Sequence, residues 1–240
     1  MNEAQRQTRL SDNWQAVVQE VQAATAAAKR PLDSVKIIGV TKYVDAETAL
    51  ALVNAGCQAL GESRPQELWK KAEAVGVAEP VEWHLVGQLQ RNKLRRTIRY
   101  RPQIHSVNSQ RLLAAIVEEA RAQSQSLEVL LQVNISGEAN KTGMMPEALQ
   151  PILETHLDSQ NDELVKVAGL MAMAGWGTDS EEARRQFAAT RELRDEMQRR
   201  TGVALPELSM GMSGDFDVAI EEGATMVRIG SRLFAGMLEP

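Results

Sequence analysis

Lys42 closes the apolar run VKIIGVTK, and its place there is the first chemical signal in the chain. If the run is a β-strand, Ile38, Val40 and Lys42 share one face, because side chains alternate along a strand. An amine held among apolar walls loses its proton more readily and becomes a nucleophile toward carbonyl carbon. The plainer reading is a lysine that marks a strand end in solvent, and for an isolated strand-end lysine it is the commoner one. Arg228 has a similar setting in TMVRIG, where it alternates with Val227 and Ile229. A buried arginine must be paired or hydrogen-bonded. It is either half of an internal salt bridge, with Glu62 as a candidate partner, or a donor to a bound ligand.

Two short stretches add a second kind of chemistry. They read Ser209-Met210-Gly211-Met212-Ser213-Gly214 and Gly230-Ser231-Arg232. Both are small, hydroxyl-bearing and able to present backbone N–H groups. Either alone also suits an ordinary turn or cap. In a closed parallel barrel, however, the loops after strands seven and eight often hold phosphate. Together with a lumen lysine they point to a phosphorylated ligand.

Three further polar residues sit in apolar runs. His84 in VEWHLVG shares a face with Glu82 and reads as a ligand contact or as a satisfied core histidine. In LEVLLQVNI, Gln132 and Asn134 oppose the apolar face of Val129, Leu131, Val133 and Ile135. They require partners, either a ligand or a network of internal contacts. The segment NISGEANKTG, 134–143, reads as an anion-binding loop or as an ordinary surface loop.

The elements that would position these residues alternate. An amphipathic helix covers about 3–29, with Leu10, Trp14, Val17, Val18 and Val21 at helical spacing, and Pro31 ends it. Eight short strand-like runs follow, most of them leading into a helical pattern: VKIIGVTK, CQALGE, VEWHLVG, QIHSV, LEVLLQVNI, VKVAGLMAM, ELSM and TMVRIG. That count suits a (β/α)8 barrel, whose usual length is ~250 residues, and the chain has 240. A doubly wound open sheet would show a glycine-rich nucleotide turn after its first strand. Here the first strand runs into Thr41, Lys42 and Tyr43.

Composition narrows the function classes. The formal net charge of −5 gives no support for broad binding to nucleic acid or an anionic membrane. The basic segment QRNKLRRTIRYR, 90–101, reads as a solvated helix face. One cysteine, Cys57, excludes an internal disulfide and suits a small core residue. The N-terminus lacks the apolar stretch of a secretory signal, so a cytoplasmic protein is expected.

At this point the segments GVTKY (39–43), ALGESRPQE (59–67), WHLVGQLQRNK (83–93), IHSVNS (104–109), LLQVNISGEANKTG (130–143), GLMAM (169–173), LSMGMSGDFDVAI (208–220) and GATMVRIGSRLFAG (223–236) can be taken together. They resemble the YggS/PROSC family of pyridoxal 5′-phosphate (PLP) binding, PLP-homeostasis proteins. The resemblance runs from the first strand to Gly236. It implies one α/β domain over 1–240, a single TIM-like (β/α)8 barrel similar to the N-terminal domain of alanine racemases, with 1–30 packed on it as a helix. It implies PLP as cofactor, held as a Schiff base on Lys42. The phosphate is then expected on the loops carrying Ser209, Met210, Gly211, Met212, Ser213, Gly230 and Ser231. Arg228 is expected to face the pyridine nitrogen, with His84 and Asn134 lining the pocket. Ser63 falls beside the ring, where family members usually carry the longer asparagine.

The same resemblance bears on activity. Arginine, with a pKa above ~12, cannot accept the ring proton, so the electron sink is weak. Related racemases draw a second base from a β-domain of the partner subunit, and no such domain is read here. The expectation is therefore a PLP carrier for vitamin B6 and amino-acid homeostasis, monomeric, with PLP-dependent apo-enzymes as its clients. A low-activity amino-acid racemase is the alternative. A Schiff-base aldolase and a pure interaction protein are the more distant rivals. No metal, nucleic acid or membrane is expected.

Overall fold

Apolar, β-branched runs of four to seven residues form eight parallel strands. The computed structural model describes residues 3–76, 81–138, 142–158, 164–175 and 177–237. The strands are β1 (Lys36–Val40), β2 (Ala59–Glu62), β3 (Glu82–Leu85), β4 (Gln103–Val107), β5 (Leu127–Gln132), β6 (Val165–Met171), β7 (Glu207–Met212) and β8 (Met226–Ile229). Each pairs with its neighbour in sequence, and β8 pairs back onto β1 with Ile38 opposite Arg228. The barrel is closed, as the alternation of strand and helix predicts.

The outer ring is α1 (Glu3–Ala27), α2 (Ala46–Asn54), α3 (Pro65–Val75), α4 (Leu94–Ile98), α5 (Gln110–Gln123), α6 (Leu149–Asp158), α7 (Ser180–Thr201) and α8 (Phe216–Glu221). A helix follows each of β1 to β7, whereas β8 is followed by turns through Met237. The gap is filled by α1, which packs between α8 and α2. Its buried stripe is Leu10, Val17, Val21 and Thr25, one side of the helix. Asn13 ties it to the chain after β8 by donating to the carbonyls of Leu233 and Ala235, at 3.0 and 3.2 Å. The helix expected over 90–101 is only five residues long after a 3-10 turn at Arg91–Lys93. The helix stops at Ile98, and three residues on Arg101 takes the left-handed φ +47° just before Pro102. Within this segment Arg96 pairs with Glu73 at 2.8 Å and stacks on Trp69 at 4.6 Å.

Alternation along the strands divides two cores. Outward residues such as Val129, Leu131, Val227 and Ile229 join the large cluster under the helices. Inward residues Ile38, Ala59, Leu130, Ala168, Met171 and Met226 form a small separate cluster in the lumen. The barrel is thus a packed core with two ends. No described helix is long and apolar enough to cross a membrane.

Candidate functional site

The C-terminal ends of the strands gather most of the residues singled out in the sequence. Lys42 lies two residues beyond β1, and it is exposed rather than enclosed by apolar walls. Its Nζ sits 4.6 Å from the centre of the Tyr43 ring. The strand stops at Val40, so the expectation that it runs to Lys42 is corrected: the lysine stands on a turn at the barrel mouth.

The backbone before this lysine is held from behind. Thr41 points out of the lumen, and its hydroxyl donates to Glu62 Oε1 at 2.6 Å. Lys71 on α3 donates to the Thr41 carbonyl at 2.7 Å and forms an ion pair with the same Glu62 oxygen. Thr41, Glu62 and Lys71 are all buried. The pairing of Glu62 with Arg228 raised by the sequence does not occur. Glu62 falls on the helix-facing parity of β2, where Lys71 meets it.

Ser63 follows β2 on the lumen parity and is half-buried, beside a cavity of about 260 Å³ that Arg64, Gln88 and Lys93 also line. Asn134 is turned to its own loop. It donates to the Glu138 carbonyl at 2.8 Å, accepts from Ser136 at 3.2 Å, and leaves its backbone N–H for Met144. Gln132 likewise donates to Thr142. These polar residues are therefore satisfied by an internal network, one of the two readings open from the sequence. Residues 139–141 of the NISGEANKTG loop lie outside the described residues.

The loops after β7 and β8 are brought together. Gly230 N–H donates to Ser213 Oγ at 3.2 Å. Asp215 caps Met212 N–H at 2.6 Å, so that donor is already used. Gly211 has φ +90°, and a Cβ there would lie 2.6 Å from the Ala219 methyl, so only glycine lets β7 turn against α8. Ser231 is exposed at the rim. Met210 is buried in the outer core and contributes no side chain to the mouth.

Below the loops lies Arg228, buried. Its Nη1 donates to the carbonyl and hydroxyl of Ser209, at 2.7 and 2.6 Å, and its Nη2 to the Ala172 carbonyl at 2.9 Å. Burial lowers its pKa to about 10, which leaves it cationic at neutral pH. Ser209, expected with the phosphate loops, has its hydroxyl in the lumen at the level of Arg228. A register shift between Ser209 and Met212 carries the following residues away from it.

His84 also differs from expectation in height. It has the lumen parity, but it is mid-strand and lines a cavity of about 680 Å³ at the N-terminal end of the barrel, with Lys36, Glu82, Gln103, Glu128, Lys166 and Glu207. Lys36 pairs with Glu82, and Lys166 with Glu128 at 2.8 Å. His84 and Lys36 hold the Glu82 carboxyl down to about 2. The residue that joins this end to the site is His105 on β4, which is not among the residues singled out by the sequence. It is wholly buried, 3.0 Å from His84 and 2.9 Å from Ser209 Oγ. Its inward parity in QIHSV was a usable signal. Burial pushes both imidazoles below their ordinary pKa, His105 furthest. Among the described residues no His, Cys, Asp and Glu are grouped to hold a metal ion.

Comparison with known proteins agrees with this architecture. The family "Alanine racemase, N-terminal domain" matches residues 9–237. The "Pyridoxal phosphate homeostasis protein" of Aquifex aeolicus is 42% identical over 218 residues, covering 91% of this chain and 94% of its own. That of Pseudomonas aeruginosa is 35% identical over 226 residues, covering 94% of both. The structure of PipY from Synechococcus elongatus with PLP bound superposes with a TM-score of 0.81 at 31% identity, covering 94% of this chain and all of that one. Alanine racemase from Corynebacterium glutamicum shares the fold, with a TM-score of 0.69 at 14% identity over 97% of this chain and 63% of that one. The chain belongs to the pyridoxal phosphate homeostasis protein family, built on the alanine racemase N-terminal barrel.

Proposed function

We propose that the protein binds PLP reversibly at the C-terminal mouth of the barrel, through Lys42, and acts as a carrier in vitamin B6 and amino-acid homeostasis. The observation that carries this reading is the convergence on one barrel end of an accessible lysine, two touching small-residue loops and a buried arginine beneath them. The donor set suits the group: an amine for an aldehyde, backbone and hydroxyl donors for a phosphate, and a guanidinium for a ring nitrogen that is to stay unprotonated. The relatives named for PLP homeostasis and the PLP-bound PipY support it.

In this reading Ser213, Gly230 and Ser231 hold the phosphate, with the backbone of Gly211 and Met212 beside them. Arg228 faces the ring nitrogen, and Ser63 and Asn134 flank the mouth. Bound there, PLP supplies an aldehyde that an amine takes up reversibly and a ring that serves as an electron sink. Arg228 can donate a hydrogen bond but cannot accept one, so a ring nitrogen facing it stays an acceptor without a proton of its own. Of the two tyrosines, Tyr100 sits at the opposite end bonded to Glu73, and Tyr43 is 67% exposed. Few groups are placed to move protons at the mouth, and we read the protein as a carrier without robust catalysis. It works in the cytoplasm as a monomer and passes PLP to apo-enzymes.

The test is the absorbance of purified protein after PLP loading, then borohydride reduction and peptide mapping. The label is expected on the peptide carrying Lys42 and is expected to vanish in Lys42→Ala. Label retained in that variant refutes the assignment. Exchange of deuterium into alanine or serine is expected to stay at the rate of free PLP, and faster exchange favours the racemase reading.

A further inference from the structure

The lumen contains a chain of contacts whose direction can be deduced. Arg228 has donors only, so Ser209 Oγ is an acceptor in their 2.6 Å contact. The hydroxyl keeps one proton to give, and His105 Nδ1 lies 2.9 Å away. If that nitrogen accepts, the His105 proton is on Nε2, which faces His84 Nδ1 at 3.0 Å. His84 then carries its proton on Nε2, which is buried without a hydrogen-bond partner among the described residues and 3.8 Å from Glu82 Oε2. In this order every positive dipole end points away from the guanidinium and toward the carboxylate. The reverse order would aim a bare nitrogen lone pair at Glu82 and leave the Ser209 proton to find another acceptor. Coulomb energy in a low-dielectric lumen decides for the first order. Both imidazoles are neutral, as burial requires.

We propose that His105 and His84 are positioning residues: with Ser209 they form a one-directional hydrogen-bond chain, Arg228 to Ser209 to His105 to His84 toward Glu82, that fixes the guanidinium beneath the mouth. The role for the cofactor rests on the PLP reading above; the direction of the chain does not. His105 acts at a distance, by leaving Ser209 Oγ as an acceptor for Arg228. Without it the hydroxyl has no fixed proton acceptor and Arg228 loses a fixed partner. Held then by the Ser209 and Ala172 carbonyls alone, the guanidinium meets the ring nitrogen with a looser aim.

Two measurements test this. In the cofactor-free protein, long-range ¹H–¹⁵N correlation of the imidazoles is expected to show His84 and His105 neutral at pH 7.5, each with its proton on Nε2. His84→Gln and His105→Asn assign the signals. A proton on Nδ1 of either ring, or a charged ring, overturns the chain whether or not PLP binds. In the PLP-loaded protein, His105→Phe is expected to weaken PLP binding about tenfold, the order of one buried hydrogen bond, and to shift the visible band. His105→Asn, whose side-chain oxygen can stand where Nδ1 stood, is expected to restore both. An unchanged band and affinity in His105→Phe refute the positioning role. Failure of wild-type protein to take up PLP would instead refute the functional reading and leave the chain standing on the imidazole spectra.

Discussion

Lys71 on α3 donates to the carbonyl oxygen of Thr41 at 2.7 Å, so a buried ammonium behind the barrel wall fixes the peptide that precedes Lys42. The same ammonium neutralises Glu62, whose second oxygen is buried without a hydrogen-bond partner among the described residues. A charge pair taken fully out of water is costly to leave half-made. Lys71→Met is therefore expected to lower the unfolding free energy by about 3–5 kcal/mol, read from urea titrations. The double variant Lys71→Met with Glu62→Leu is expected to recover much of that loss, since no orphan charge remains. Equal loss in both would show that the pair matters by packing alone.

Gly87 lies under the turn that carries Ser63. A Cβ there would stand 2.0 Å from the Ser63 carbonyl oxygen, which is backbone and cannot swing aside. Gly87→Ala is expected to cost at least ~1–3 kcal/mol and to displace the β2 end of the mouth. Thermal melting checks the first effect. PLP affinity against wild-type protein checks the second.

The protein is expected to lose stability in mild acid. His84, His105 and His156 are each held below the ordinary imidazole value, with burial as the main cause. In the unfolded chain they take up protons as pH falls through about 6.5, while the folded chain does not. The unfolded state then binds more protons, so stability is full above that pH and drops below it, by up to ~1.4 kcal/mol per pH unit for each histidine. Urea midpoints measured from pH 8 to 5 are expected to fall, and less steeply in His105→Asn. Glu82 acts in the same direction at lower pH, since its carboxyl is held down to about 2.

Cys57 is expected to be inert in the folded protein. It is fully buried beneath Gly39, and burial pushes its thiol up to about 12. A thiol reagent should label it only in denaturant, or natively at the slow rate of unfolding. Rapid native labelling would contradict this burial.

Much of the site was legible because it follows from period and position. Strand alternation placed Ile38, Arg228, Gln132 and Asn134 on the lumen side, and the small residues after β7 and β8 announced two loops at one barrel end. What alternation cannot give is height along the axis. His84 and Ser209 have the expected parity, but His84 lines the N-terminal cavity and the Ser209 hydroxyl lies at the level of Arg228, a difference that parity does not carry.

The sequence by itself determined the number and order of the strands, which residues face inward, and the family to which the chain belongs. These depend on local periodicity and on residue type. The tertiary structure alone decided that α1 completes the helix ring, that Lys71 rather than Arg228 answers Glu62, and that His105 links Ser209 to His84. Each of these depends on closure of the sheet, because strand tilt and register bring together residues far apart in the chain. Ser209 and His105, 104 positions apart, meet across the lumen of the closed barrel.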